Sequence, residues 1–248
     1  MEALAAEGNH GSRGAVLRRP AMAAQDPDER FDLYTRDGAP LGVSKARRDV
    51  HRDGDWHRSL HIWVALRDGS GVAGAARSPG LLFQRRSPAK DTWPGALDVA
   101  VTGHLRAGEA ILDGLRKARE EIGLEIKPED VVHLGRRRRA DEHQAGVRDR
   151  ELQEIFATVT SLPLAAFTPD PDEVTALVTI PIEAAAALFR GSIEAVEGLE
   201  MQANSGAPAL ITVRAADFVQ VTDGYYALAE RSLAALLRGD AGPAWTLG

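Results

Sequence analysis

The chain has 248 residues, 44% hydrophobic and 27% charged, a globular balance long enough for one sizeable core with additions. A formal charge of -6 argues against binding a nucleic-acid polymer wholesale, and the absence of cysteine excludes a disulfide scaffold, thiolate-bound zinc and a cysteine nucleophile, with a cytoplasmic location as the default. No apolar run reaches membrane-spanning length, and the N-terminus lacks the continuous apolar core of a secretion signal.

Residues 1–27 are rich in Ala, Gly, Arg and Asp without a sustained period and read as a disordered tail. Strands over 31–34 and 41–43 flank Asp37-Gly38 as an edge hairpin. The stretch 56–64 ends in a buried strand; His51, His57 and His61 lie near it at a spacing that fits no compact zinc motif. After a strand at 81–84 come Arg85, Arg86 and Lys90, then Trp93-Pro94-Gly95. A guanidinium binds two oxygens at once and an ammonium supplies a point charge, so this loop suits a phosphate, the alternative being a solvated loop. Trp93 reads as a packing anchor, because its Pro-Gly neighbours mark a fixed turn.

From Glu109 onward Ile111, Leu115, Ala118 and Ile122 recur at helical spacing until Gly123 ends the helix. Glu109, Asp113, Arg116, Lys117, Glu120 and Glu121 fall mostly on its other side. The adjacent Glu120 and Glu121 offer hard oxygen ligands for Mg²⁺ or Mn²⁺, against the alternative of a solvated charged face. Arg136 to Arg139 alternate along a strand, which sends two toward an anionic substrate or leaves an exposed strand end. On the returning strand 149–157, alternation sets Asp149, Glu151 and Gln153 on one face and Glu154 on the other. Glu151 suits a metal ligand or the base that activates water; an ion pair with a nearby arginine is the alternative. A strand at 176–180, a helix opened by Pro181, a turn-rich stretch over 191–208, a strand at 209–213 and an amphipathic helix over 224–237 follow.

The run Gly103…Gly108-Glu109…Arg116…Glu120-Glu121-x-Gly123-Leu124 resembles the Nudix box, the loop-helix signature of a superfamily that mostly cleaves diphosphates linked to a second group. With Arg85-Arg86…Lys90…Trp93-Pro94-Gly95…Val101-Thr102-Gly103-His104, it is similar to the branch containing type I isopentenyl-diphosphate isomerase and its hydrolase relatives. The resemblance implies an α/β fold, an α/β/α sandwich around a mixed sheet, over residues 28–190. A strand/helix extension over 191–248 then either caps the pocket or mediates homodimerisation. It further implies that Glu120, Glu121, His104 and Glu151 hold Mg²⁺ or Mn²⁺, with the histidine matching His61 as a further ligand. Glu121, Glu151 and Glu120 would be catalytic, with Asp149 matched to the first carboxylate of the returning strand. Arg116 would hold Glu109, and Arg86 and Lys90 would contact the diphosphate of a small-molecule substrate.

Three departures qualify the match. Six residues separate Glu109 from Arg116 where the family usually has seven, and Lys117 replaces the glutamate expected after the arginine. The ammonium removes a ligand and neutralises charge that a further metal would balance, which implies fewer bound metals or weaker activity. Thr102 stands where the isomerase has its essential cysteine, and a hydroxyl is far less acidic than a thiol. The expected activity is diphosphate hydrolysis; a diphosphate-binding module that has lost catalysis is the alternative, and isomerisation is disfavoured.

Overall fold

Side-chain alternation along one long strand divides the molecule into two cores. In strand β3 (Trp56–Leu66), Leu60, Ile62 and Val64 pack on one face with Leu115, Ala118 and Ile122, while Trp63 and Ala65 pack on the other with Ile182, Leu188, Tyr225 and Leu233. Helices therefore cover both faces of the sheet, which is the expected α/β/α sandwich. The computed structural model describes residues 25–69, 78–143, 146–205, 207–240 and 245–247, so nearly all of the tail expected over 1–27 lies outside the described residues. No helix among them is long and apolar enough to cross a membrane.

The strands are β1 (Arg30–Tyr34), β2 (Pro40–Ala46), β3, β4 (Gly80–Arg86), β5 (Leu97–Val99), β6 (Val101–His104), β7 (Val132–Glu142), β8 (Arg148–Thr160), β9 (Val174–Pro181), β10 (Ala195–Gln202), β11 (Ala209–Arg214) and β12 (Trp245–Leu247). The sheet runs β11-β10-β9-β4-β3-β8-β7-β12, with β5 on β4, β6 on β3, and the β1–β2 hairpin joined to β3. It is mixed: β3 and β8 are parallel, as are β7 and β12, and their neighbours are antiparallel. Helices α1 (Arg47–Asp53), α2 (Arg116–Ile122), α3 (Ile182–Phe189) and α4 (Tyr225–Leu237) complete it.

Three elements differ from the sequence reading. The helix expected from Glu109 is split into a 3₁₀ segment, Ile111–Leu115, and then α2. A 3₁₀ helix rises about 2.0 Å per residue against 1.5 Å in an α-helix, so the five-residue segment is about 2.5 Å longer than an α-helical one and α2 starts late, at Arg116. Gly123 does end α2, at φ 73°, where a Cβ would fall 2.0 Å from Thr168 Oγ1. The stretch 191–208 is not merely turns: it contains β10, whose Gly198 lets the strand lie against β9 with an added Cβ only 3.0 Å from Thr179 O. Finally, the segment after 190 is integral to the fold. Strands β10 and β11 extend the same sheet, and Tyr225, Tyr226, Ala229 and Leu233 of α4 share a core with Trp63 and Phe83.

Candidate metal and diphosphate site

Helix α1 ends at Gly54, whose left-handed backbone (φ 70°) turns the chain straight into β3. That turn brings His51, in the last turn of α1, within 5.3 Å of the His57 ring near the start of β3. His104, the last residue of β6, pairs with Ser59 of β3, so its ring lies 4.7 Å from His57 and 5.4 Å from His51. Phe31 closes the floor beneath His57 and His104 at 5.3 and 4.8 Å. The parallel register of β3 with β8 sets Glu151 beside His57, and alternation keeps Asp149 on the same face. Among the described residues, ligand atoms of His51, His57, His104 and Asp149 all lie within 4.8 Å of one another.

The hydrogen bonds fix which ring nitrogens face inward. His57 Nδ1 donates to the Asp55 carbonyl at 3.0 Å, which leaves the Nε2 lone pair pointing at Asp149 Oδ1, 3.5 Å away. Arg47 can only donate, so its contact with His104 Nδ1 at 2.9 Å makes that nitrogen the acceptor and turns Nε2 to Glu151 Oε1 at 3.3 Å. His51 Nε2, His57 Nε2 and Asp149 Oδ1 are buried without a hydrogen-bond partner. Burial pushes His51 down to about 3, with Arg47 adding to the effect, and also depresses His57 and His104, so the three imidazoles are neutral. Nε2 of His51 and of His57 carries no hydrogen bond, while His104, with Nδ1 taken by Arg47, would ligate through Nε2 only by giving up the proton it turns to Glu151. Burial and then the Glu151 charge push Asp149 well above the usual carboxylate range. Burial is the largest single influence on Glu151 and raises it, but the His104 hydrogen bond together with the attraction of His104, His61 and His57 outweighs it and holds that carboxyl low. Orphaned nitrogen and oxygen atoms converging beside neutral imidazoles and crowded carboxylates fit a divalent cation.

The cluster opens into a cleft of about 90 Å³ whose walls include Arg47, Lys90, Lys117, Glu121, Arg139 and Glu151. Glu121 is 2% exposed, with Oε2 accepting from Thr102 N at 3.3 Å and Gln84 Nε2 at 3.4 Å. Burial pushes its carboxyl up to about 7 against the opposing pull of Lys117 and Lys90. The Lys117 stem lies over Gly103, where a Cβ would come within 3.0 Å of it, so the glycine gives the ammonium its path into the cleft.

Of the residues expected at the site, His104, Glu121 and Glu151 are brought together around the cleft, and Lys90 lines it while ion-paired with Glu173. Arg86 also lines it, but its guanidinium is committed to Thr92 O, Thr92 Oγ1 and Asp98 and so builds the loop. Glu120 is not among the residues lining the cleft: its side chain is 36% exposed and paired with Arg116 at 2.6 Å, because i,i+4 geometry puts it over the arginine rather than beside Glu121. Arg116 also forks Glu109 at 2.6 and 3.0 Å. His61, a ligand by the resemblance, lines the cleft, and its Nδ1 is hydrogen-bonded at 2.8 Å to Tyr225 Oη, which also accepts from Trp63 Nε1 at 2.9 Å. His57, four residues earlier on the same face, points its unpartnered nitrogen into the cluster. His51 and His57 are further ligand candidates, visible in the sequence only as histidines near a strand start at no compact zinc spacing; the turn at Gly54 and β3's register with β8 are what bring them to Asp149. Arg137 and Arg139 face the cleft side, whereas Arg136 and Arg138 turn to Glu154 and Asp37 on the other face. Trp93 lines the cleft at φ 49°, a conformation rare for a bulky residue, with its ring edge-on to His143 at 5.9 Å.

The NUDIX domain family model matches residues 62–199, more than half of the chain. The chain belongs to the Nudix family. An uncharacterised Nudix hydrolase of Clostridium acetobutylicum is 32% identical over 210 residues, covering 83% of this chain and 97% of that protein. Nudix hydrolase 3 of Arabidopsis thaliana is 34% identical over 164 residues, 63% of this chain but 20% of that much longer protein. An isopentenyl-diphosphate Delta-isomerase of Escherichia coli O127:H6 is 35% identical over 147 residues, covering 59% of this chain and 73% of the enzyme. A Deinococcus radiodurans protein of known structure aligns at TM-score 0.44 and 21% identity, covering 66% of this chain and 90% of its own.

Proposed function

We propose that this Nudix protein hydrolyses a diphosphate linkage in a small organic diphosphate, using a divalent cation held by His51, His57, His104, Asp149 and Glu151. The observation that carries the reading is the convergence of buried, unpartnered ligand atoms at the floor of a cleft walled by cations. When bound, the cation would lower the pKa of a water and stabilise charge on the phosphate. A nitrogen-rich donor set with carboxylates suits Mn²⁺ better than the harder, oxygen-seeking Mg²⁺.

The chain's own residues supply the rest. Lys90, Lys117 and Arg139 bring positive charge to phosphate oxygens from three sides of the cleft. Glu121, raised to about 7, exchanges a proton at working pH through Oε1, the oxygen not already accepting from Thr102 N and Gln84 Nε2, and so matches the base that deprotonates an attacking water. Thr102 accepts from Gln84 Nε2 at 3.3 Å and has no thiol to protonate carbon, which argues against isomerisation. A second reading, a diphosphate-binding module without turnover, is favoured by one observation: Glu120 is drawn out of the cleft and Lys117 stands in it.

Product release from nucleoside di- and triphosphates, dinucleoside polyphosphates, nucleotide sugars and isopentenyl diphosphate, with Mn²⁺ or Mg²⁺, tests the proposal beside Glu121→Gln and His57→Gln. Metal-dependent turnover lost in both variants supports hydrolysis. Tight ligand-dependent thermal stabilisation without phosphate release favours the binding module.

A further inference from the structure

Glu151 is held from two sides. Opposite His104, its Oε2 accepts from Gln153 Nε2 at 2.7 Å, and Gln153 Oε1 accepts from Arg137 Nη1 at 3.0 Å. A guanidinium has no acceptor and a carboxylate no proton to give, so the Gln153 amide satisfies both neighbours in only one orientation. Arg137 has no freedom to release it. Its side chain is 3% exposed, its Nε and Nη2 fork Asp223 at 2.6 and 3.2 Å, and its guanidinium carbon sits 4.4 Å from the centre of the Tyr225 ring. Asp223 Oδ1 also accepts from Tyr225 N at 3.3 Å, so one carboxylate ties both the first turn of α4 and the arginine.

The relay crosses regular structure. Arg137 pairs with Gln153, and Arg139 with Glu151, on adjacent antiparallel strands, so the spacing is set by the sheet and not by a loop. Resting on the cation reading above, we propose that Asp223, Arg137 and Gln153 are positioning residues that lock the Glu151 carboxylate toward the histidine cluster, making the segment after residue 190 a working part of the site. A ligating carboxylate gains affinity when an outer hydrogen bond fixes its rotamer, and loss of such a partner typically weakens metal binding about 10- to 100-fold.

The test is Mn²⁺ affinity of the full chain, read by electron paramagnetic resonance of free Mn²⁺, beside the melting temperature of the metal-free protein. Gln153→Met keeps the volume and removes both hydrogen bonds; Asp223→Asn weakens the far end. Gln153→Met is expected to bind Mn²⁺ about 10-fold or more weakly, with a lower metal-free melting temperature because Arg137 Nη1 and Glu151 Oε2 lose a buried partner, and Asp223→Asn to show a smaller loss of affinity in the same direction. In the double variant Asp223→Asn should cost no further Mn²⁺ affinity while retaining its own effect on melting, which a merely structural role would not produce. Wild-type affinity in Gln153→Met, or additive losses in the double variant, overturns the relay. Failure of the wild type itself to bind Mn²⁺ overturns the cation reading beneath it.

Discussion

Replacing Glu121 with glutamine should stabilise the metal-free protein above neutral pH while abolishing its turnover. The Glu121 carboxyl is buried and burial pushes it up to about 7 from an ordinary 4.5. Unfolded, it gives up its proton near its ordinary value; folded, it keeps the proton until about 7. Between those values the folded state binds the extra proton, so this group's contribution to stability is fully present below about 4.5 and is lost as pH rises through about 7. At 1.36 kcal/mol per pKa unit the loss is roughly 3 kcal/mol once Glu121 is ionised. Glutamine has the same shape and no proton to lose; its Oε1 can still accept from Thr102 N and Gln84 Nε2. Urea denaturation in a chelator should therefore show wild type and Glu121→Gln within about 1 kcal/mol near pH 5 and separated by about 2–3 kcal/mol, in favour of the variant, near pH 8. Parallel stability curves across that range would refute the reasoning. Saturating Mn²⁺ stabilises whichever form binds it, so a Glu121 that helps to hold the cation narrows or reverses the difference.

Tyr225→Phe strips the partner from Trp63 Nε1 and from His61 Nδ1 in a buried setting; at about 1–3 kcal/mol for each stranded group it should cost about 2–6 kcal/mol in urea denaturation, and a loss under about 1 kcal/mol would count against the hydrogen-bond assignment. Lys117→Glu replaces the ammonium in the cleft with a carboxylate beside Glu121, so Mn²⁺ bound per chain should rise from one toward two in a titration; equal stoichiometry would show that the lysine does not stand in for a cation.

Local patterning carried much of this molecule. The period-two alternation of Leu60, Ile62 and Val64 against Trp63 and Ala65 is a property of neighbouring residues, and so is the shared face of Asp149, Glu151 and Gln153. The loop and helix carrying His104 and Glu121 were legible for the same reason. What escaped depends on partners far along the chain. His57 joins the histidine cluster because β8 registers Glu151 beside it, while His61 is held at Nδ1 by Tyr225, which reaches it from α4. Glu120 and Glu121 are adjacent and chemically identical, and only the pull of Arg116 on one and the burial of the other separate them. Strand β10 hid behind Glu197, Gly198 and Glu200, which break an apolar pattern at a place where the sheet supplies the pairing.

The last support of the Glu151 clamp lies at Asp223 and the first turn of α4, while the first imidazole of the cluster is His51. A ribosome therefore releases all three histidines well before the carboxylates, and the carboxylates on the order of ten seconds before α4 at ordinary elongation rates. During that interval the nascent chain carries metal-seeking side chains without the geometry that makes them a tight site. On the cation reading proposed above, a tight site would therefore form only once α4 has docked and Asp223 holds Arg137.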